Sequence, residues 1–123
     1  MRVLVTGGSG LIGMALRQRL AVLGHSVIGV DITDFGRKDP TLVRMPLSDH
    51  DGLEKLVADG EIEAIIHGGG ISGPLMERER PVLITEVNVL SSAALLDIAR
   101  LVDIPGELNR TARRHLEGPQ PEC

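Results

Sequence analysis

The chain opens on a short apolar run, Val3 to Val5, which enters Thr6-Gly-Gly-Ser-Gly-Leu-Ile-Gly13 without a spacer. Uniformly apolar residues that give way to glycines read as a buried parallel strand ending in a tight turn. From Leu11 the apolar residues Ile12, Ala15, Leu16, Leu20 and Leu23 recur at helical spacing, with Arg17, Gln18 and Arg19 on the other side. Gly24 is a natural stop for that helix. Ser26 to Val30 reads as a second buried strand ending at Asp31. Strand, helix and strand thus fill roughly thirty residues, the size of one βαβ unit.

The alternation continues downstream. Asp34 to Pro40 is a polar turn region, and Leu42–Met45 is a short third strand stopped by Pro46. Ser48 or Asp49 caps a helix running to about Ala58, with Leu53, Leu56 and Val57 as its apolar face and Gly60 at its end. Ile62–His67 reads as a fourth strand, closed by Gly68-Gly69-Gly70, and Gly73-Pro74 marks another turn. Pro81 suits the first turn of a long helix to about Val102. Its apolar stripe holds Ile84, Val87, Leu90 (or Ala94), Leu95, Ile98 and Leu101.

Strands alternating with helices predict an α/β fold: a Rossmann-like parallel sheet of about four strands with helices on both faces. A fifth strand is due after Ile104 and is not written, so the sheet is expected to be truncated before it. Residues 1–104 are read as one partial domain. Residues 105–123 carry several charges and two late prolines, and are expected to form a poorly ordered tail with at most a short helix.

Composition narrows the chemistry. The chain has 123 residues, 42% of them hydrophobic, and a mean hydropathy of +0.11, which suit one folded domain. With one Phe and neither Tyr nor Trp, the core must be built from Val, Ile, Leu and Ala. A net charge of −4 argues against nucleic acid or an anionic membrane surface as partner. The one cysteine, Cys123, forms no internal disulfide, and no signal sequence is visible at the N-terminus. No apolar stretch approaches the roughly 18 residues of a membrane span, so a cytoplasmic protein is the expectation. The four histidines are scattered and show no metal-ligand spacing.

The glycine turn carries the clearest chemistry. It satisfies both G-x-G-x-x-G and T-G-x-x-G-x-x-G, between a strand and a helix. An early glycine such as Gly7 permits the tight turn. Gly10 lets the backbone approach a pyrophosphate, and Gly13 lets helix and strand pack closely. The helix N-terminus then offers free N–H groups and positive dipole to phosphates. Asp31, at the end of the second strand, can accept hydrogen bonds from the adenosine ribose and would repel a 2′-phosphate, which favours NAD over NADP. Arg37 and Lys38 lie nearby, and a solvated role suits them better. His67 reads as a satisfied strand-end histidine, neither catalytic nor a metal ligand.

These residues resemble the extended short-chain dehydrogenases/reductases, the NAD-dependent epimerase/dehydratase family. The resemblance runs from Met1 to about Ile104 and rests on the glycine turn, Asp31, His67-Gly-Gly-Gly70 and Asn88-Val-Leu-Ser-Ser-Ala-Ala-Leu-Leu-Asp97. It implies that Leu11 and Ile12 present backbone N–H groups to the pyrophosphate and that Asp31 holds the ribose. Leu47 would flank the adenine, although Pro46 stands where the family places an aspartate. Gly68, Gly69 and Gly70 would pass close to the cofactor. Asn88 would bond near the cofactor or tie its helix to the neighbouring strand. Ser91 stands where glycine is usual.

The family's chemistry, as the resemblance implies it, is hydride transfer assisted by a Tyr-x-x-x-Lys pair. This chain has no tyrosine, and its lysines are Lys38 and Lys55. The expectation is an NAD-binding portion of an oxidoreductase, with no catalytic residues of its own and no turnover alone. The alternative is a non-catalytic NAD-sensing module, or the partner of another chain that supplies the catalytic half. An intact enzyme using other residues is the third reading. Without a fifth strand, Ala64–Ile66 would be an apolar sheet edge, and self-association through it is expected.

Overall fold

The structure is a computed structural model that describes residues 1–71 and 79–104. The expected turn at Gly73-Pro74 and the tail from Pro105 lie outside the described residues. Four strands, β1 (Arg2–Thr6), β2 (Ser26–Asp31), β3 (Leu42–Arg44) and β4 (Ala64–His67), form one parallel sheet in the order β3-β2-β1-β4. All four carboxyl ends therefore point the same way. The strand order reverses beside β1, and the crevice above such a reversal is where this architecture holds ligands.

The helices α1 (Leu11–Val22) and α2 (His50–Asp59) follow β1 and β3. A continuous helical run after β4 comprises α3 (Pro81–Thr85), a π turn (Glu86–Leu90) and α4 (Ser91–Leu101). Side chains alternate across a strand, so the two sheet faces meet different helices. Leu4, Val30 and Ile65 pack with Leu53 and Val57 of α2 and Leu95, Ile98 and Ala99 of α4. Helix α1 packs on β1 and β2.

Most boundaries agree with the hydrophobic pattern, and the differences have local causes. Gly24 stops α1 at φ +91°, with the His25 N–H reaching back to the Leu20 carbonyl in a Schellman-type closure. At the end of α2 Gly60 keeps a helical φ of −79°, and Glu61 takes the left-handed conformation at +48°. Strand β4 starts at Ala64 rather than Ile62, because the Ile62 N–H is committed to the Val57 carbonyl at the helix end.

Two corrections concern helix faces. Arg17, assigned to the polar side of α1, is only 8% exposed, whereas Ile12 is 73% exposed. The cause lies in β2: a β-carbon on Gly29 would lie 2.7 Å from Arg17 Nε, so the glycine leaves the space the guanidinium fills. In the last helical run, Leu90 and Leu101 face solvent and Ser91 is buried in their stead. Position 91 lies four residues after Val87 and four before Leu95, so helical spacing itself puts Ser91, rather than Leu90, on the core side.

The helical run Pro81–Leu101 also corrects the expectation about apolar length. The run has 21 residues, and an 18-residue window within it has a mean hydropathy of 1.6, long and apolar enough to cross a membrane by length and composition. The length escapes a search for unbroken apolar runs because Glu86, Asn88, Ser91, Ser92 and Asp97 interrupt it. One face of the run is spent on the core, through Leu95, Ile98 and Ala99.

Candidate functional site

The glycine turn sits above the carboxyl end of β1, and each of its glycines answers a different need. Gly7 adopts φ +68°, a conformation that disfavours any side chain. A β-carbon on Gly13 would collide with the Gly7 carbonyl oxygen, so close packing of helix on turn requires glycine there. Gly10 has neither constraint. Its backbone is extended, at φ −71° and ψ 172°, and a β-carbon would find its nearest neighbour at 3.4 Å. Neither backbone strain nor packing accounts for a glycine at this position.

Hydrogen bonds account for most polar groups of the turn. Gly8 N–H donates to the Val30 carbonyl, Ser9 N–H to Asp31 Oδ2 at 3.1 Å, and Gly10 N–H to the Gly7 carbonyl. The first helical bond runs from Met14 N–H to the Gly10 carbonyl. The N–H groups of Leu11, Ile12 and Gly13 thus form the open first turn of α1, where no intrahelical acceptor exists. Ser9 Oγ is buried without a partner beside them. The side chains of Leu11 and Ile12 are 92% and 73% exposed. Free donors, an orphaned hydroxyl and a helix N-terminus together fit an anionic group.

Asp31 lies at the end of β2 next to this turn. Its Oδ1 accepts the Ile32 N–H at 2.7 Å and its Oδ2 the Ser9 N–H, leaving lone pairs on both oxygens. Two hollows lie at this end of the sheet. One, of about 520 Å³, lies along Ser9, Gly10, Leu11 and Met14 on the turn side. The other, of about 490 Å³, is lined by Ile32, Arg44, Met45 and Pro46 beyond the ends of β2 and β3. Arg37 reaches back to the turn, donating to the Ser9 carbonyl at 3.3 Å, with its guanidinium 5.4 Å from the centre of the Phe35 ring.

On the β4 side the expected residues come together around His67. Gly69 N–H donates to Thr6 Oγ1 at 3.1 Å, so the threonine hydroxyl hydrogen is free to donate to His67 Nδ1 at 2.6 Å. Ser92 Oγ donates to the Asn88 carbonyl at 2.8 Å and therefore accepts from His67 Nε2–H at 3.0 Å. One neutral tautomer, protonated at Nε2, satisfies every member. Burial lowers the His67 pKa below its ordinary value of 6.5, in keeping with that neutral state. Both ring nitrogens are occupied, as expected for a satisfied strand-end histidine.

Asn88 is engaged as a tie. Its side chain accepts the Ile71 N–H and donates to the Ile71 carbonyl, both at 2.7 Å, so the π turn is laced to the segment leaving β4. Ser91 Oγ lies 2.9 Å from the Leu47 and Glu86 carbonyls and shares its hydrogen between them. Leu47 is buried in the core at 8% exposure. It touches the triple glycine from below: a β-carbon on Gly69 would lie 2.7 Å from Leu47 Cδ1 and 3.1 Å from Gly7 N. Gly68 and Gly70 would similarly press on the Thr6 carbonyl and on Asn88 Oδ1, each at 3.1 Å. Packing of the two loops against each other and against the π turn is thus a sufficient reason for this glycine run.

Sequence patterns missed Arg17, Thr6, Ser9 and Ser92. Arg17 donates from Nη1 to the Gly8 carbonyl at 2.9 Å and from Nη2 to Asp39 Oδ2 at 2.7 Å and Thr41 Oγ1 at 2.5 Å. Hydrogen bonding from the Thr41 side chain, then from Arg17, lowers the Asp39 pKa to about 2. The signal that could have found Arg17 is Gly29, a glycine inside an otherwise branched apolar strand.

The profile of the NAD dependent epimerase/dehydratase family matches residues 3–111. UDP-glucuronic acid decarboxylase 1 of Arabidopsis thaliana is 30% identical over 130 positions, covering 99% of this chain and 29% of the plant protein. Among solved structures, UDP-glucose 4-epimerase of Thermus thermophilus in complex with NAD is 31% identical, with a TM-score of 0.75. L-threonine dehydrogenase of Phytophthora infestans is 27% identical, with a TM-score of 0.76. The match covers 85% and 86% of this chain but 35% and 34% of theirs, so the chain spans about a third of the proteins it resembles. The four-stranded parallel sheet and its glycine turn are those of a Rossmann fold, and the chain belongs to the NAD-dependent epimerase/dehydratase family.

Proposed function

We propose that this chain is the NAD-holding portion of an epimerase/dehydratase-type oxidoreductase and has no turnover by itself. The observation that carries the reading is Gly10: a glycine that neither backbone nor packing requires, beside three open N–H groups and an orphaned serine hydroxyl. A dinucleotide pyrophosphate would take the N–H groups of Leu11 and Ile12, and the flat surface at Gly10 would admit it. Asp31 would accept the adenosine ribose hydroxyls, favouring NAD over NADP. Pro46 and Ile32 would border the adenine end, with Leu47 in the core behind them. When bound, NAD supplies a hydride acceptor. The residues around it here bind and orient, because His67 is engaged at both nitrogens and the chain has no tyrosine.

The relatives acting on UDP-sugars and the threonine dehydrogenase support an oxidoreductase reading while pointing to different substrates. Calorimetric titration of the purified chain tests the reading. Micromolar NAD binding, weaker NADP binding and no turnover are expected, read as no epimer from UDP-glucose, no CO2 from UDP-glucuronate and no NADH with L-threonine. No NAD binding by the folded chain would refute the binding assignment, and steady turnover of any of the three would refute the inactivity.

A further inference from the structure

We propose that Arg17 is the positioning residue of the glycine turn, holding the pyrophosphate-facing N–H groups in place from behind. The inference rests on the dinucleotide reading and adds to it a residue outside the glycine pattern. The turn has few internal supports: Gly8, Ser9 and Gly10 use their N–H groups on Val30, Asp31 and Gly7. The Gly8 carbonyl points inward, and Arg17 Nη1 is its donor. Gly8 is thereby pinned on both sides, to β2 through its N–H and to α1 through its oxygen.

The guanidinium is itself fixed in three directions. Asp39 and Thr41 hold Nη2, and Gly29 of β2 and Gly8 of the turn leave room for its flat body. A β-carbon on Gly8 would lie 2.9 Å from Gly29 Cα and 3.2 Å from Arg17 Cδ, so turn, strand and side chain are mutually fitted. A lysine offers a point charge without this fork, and an apolar side chain leaves the Gly8 carbonyl without a donor. The arginine therefore transmits the position of the loop before β3 to the turn. Its charge is neutralised by Asp39, so its contribution is geometric.

The test uses the 123-residue chain and two ligands that differ in the pyrophosphate, NAD and adenosine. Arg17→Met fills the same space without the hydrogen bonds. It is expected to weaken NAD about tenfold, the scale of one lost charge-assisted bond, with adenosine affinity unchanged. Amide hydrogen exchange should accelerate at Gly8, Ser9 and Gly10, whose N–H groups are bonded, and stay constant in β4. Unchanged NAD affinity, or equal losses for NAD and adenosine, would overturn the proposal, the latter because Arg17 would then only support the fold. If wild-type chain binds no NAD, the dinucleotide reading fails by itself, and exchange still decides: unaltered turn protection in Arg17→Met overturns the positioning role. Should Arg17→Met not fold, Asp39→Asn releases the far end of the fork. It is expected to give a smaller loss confined to NAD, and no loss would overturn the proposal.

Discussion

At the scale of single residues, the three glycines of the turn separate binding from folding. Gly10 already has a φ and ψ that alanine adopts, with its nearest neighbour at van der Waals distance. Gly10→Ala should therefore leave stability unchanged or raise it by about 0.4–1 kcal/mol through the unfolded chain, while NAD binding is lost. Gly13→Ala forces a β-carbon against the Gly7 carbonyl and should cost about 1–3 kcal/mol. Urea denaturation with calorimetric titration distinguishes the two, and equal losses of stability would refute the division. His67 gives a second prediction, in pH. Its folded pKa lies below 6.5, so the unfolded chain takes up the proton first as the medium acidifies. Its stabilising contribution is full above pH 6.5 and declines as pH falls below that value. His67→Gln should flatten the stability profile as pH falls below 6.5, and a slope unchanged from wild type would contradict the network.

At the scale of elements, the π turn joins the last helix to the glycine run. Asn88→Ala leaves both backbone groups of Ile71 without their partner and should destabilise the chain by about 2 kcal/mol. Asn88→Asp keeps the acceptor but removes the donor, and should fall between alanine and wild type in urea denaturation. How far such features could be read from the chain depends on their range. Strand β1, the glycine turn, the Gly24 stop and the Pro81 start are written in adjacent residues, and the pattern of those residues suffices. The widened turn at Glu86–Leu90 is different, because Ile84, Val87, Leu95 and Ile98 keep helical spacing through it. The same spacing places position 91, four residues from both Val87 and Leu95, on the core side, and only the polarity of its serine hides it. Arg17 was misread for a related reason: its burial is decided by Gly29, on another element and twelve positions away. The turn at Thr6–Gly13 was legible as a glycine-rich link from strand to helix, but the separate reason for each glycine needed the neighbours that only folding brings together.

At the scale of the whole molecule, the sheet order leaves β4 with one partner, β1, and among the described residues nothing pairs with its other edge. A strand edge with free N–H and C=O groups is a template for another chain unless charge, proline or a covering element blunts it. Here the edge is Ala64-Ile-Ile-His67, without a charge. Exposed Val82, Val89, Leu90 and Leu96 on the helical run after β4 add apolar surface. The 13.2 kDa chain should accordingly sediment as a dimer or larger species at high concentration. The substitution that isolates the edge must add charge without opening the core. Ile65 is 2% exposed and packs with the α2 and α4 side chains, so lysine there would unfold the sheet. Ile66 is half-buried, on the opposite face, and Ile66→Lys places an ammonium that can reach water from the edge. That variant should remain folded by circular dichroism and shift the chain toward monomer in sedimentation velocity. If wild type is monomeric at the highest attainable concentration, the edge is already protected. If Ile66→Lys stays associated while Leu96→Lys becomes monomeric, the helix face rather than the strand edge carries the contact.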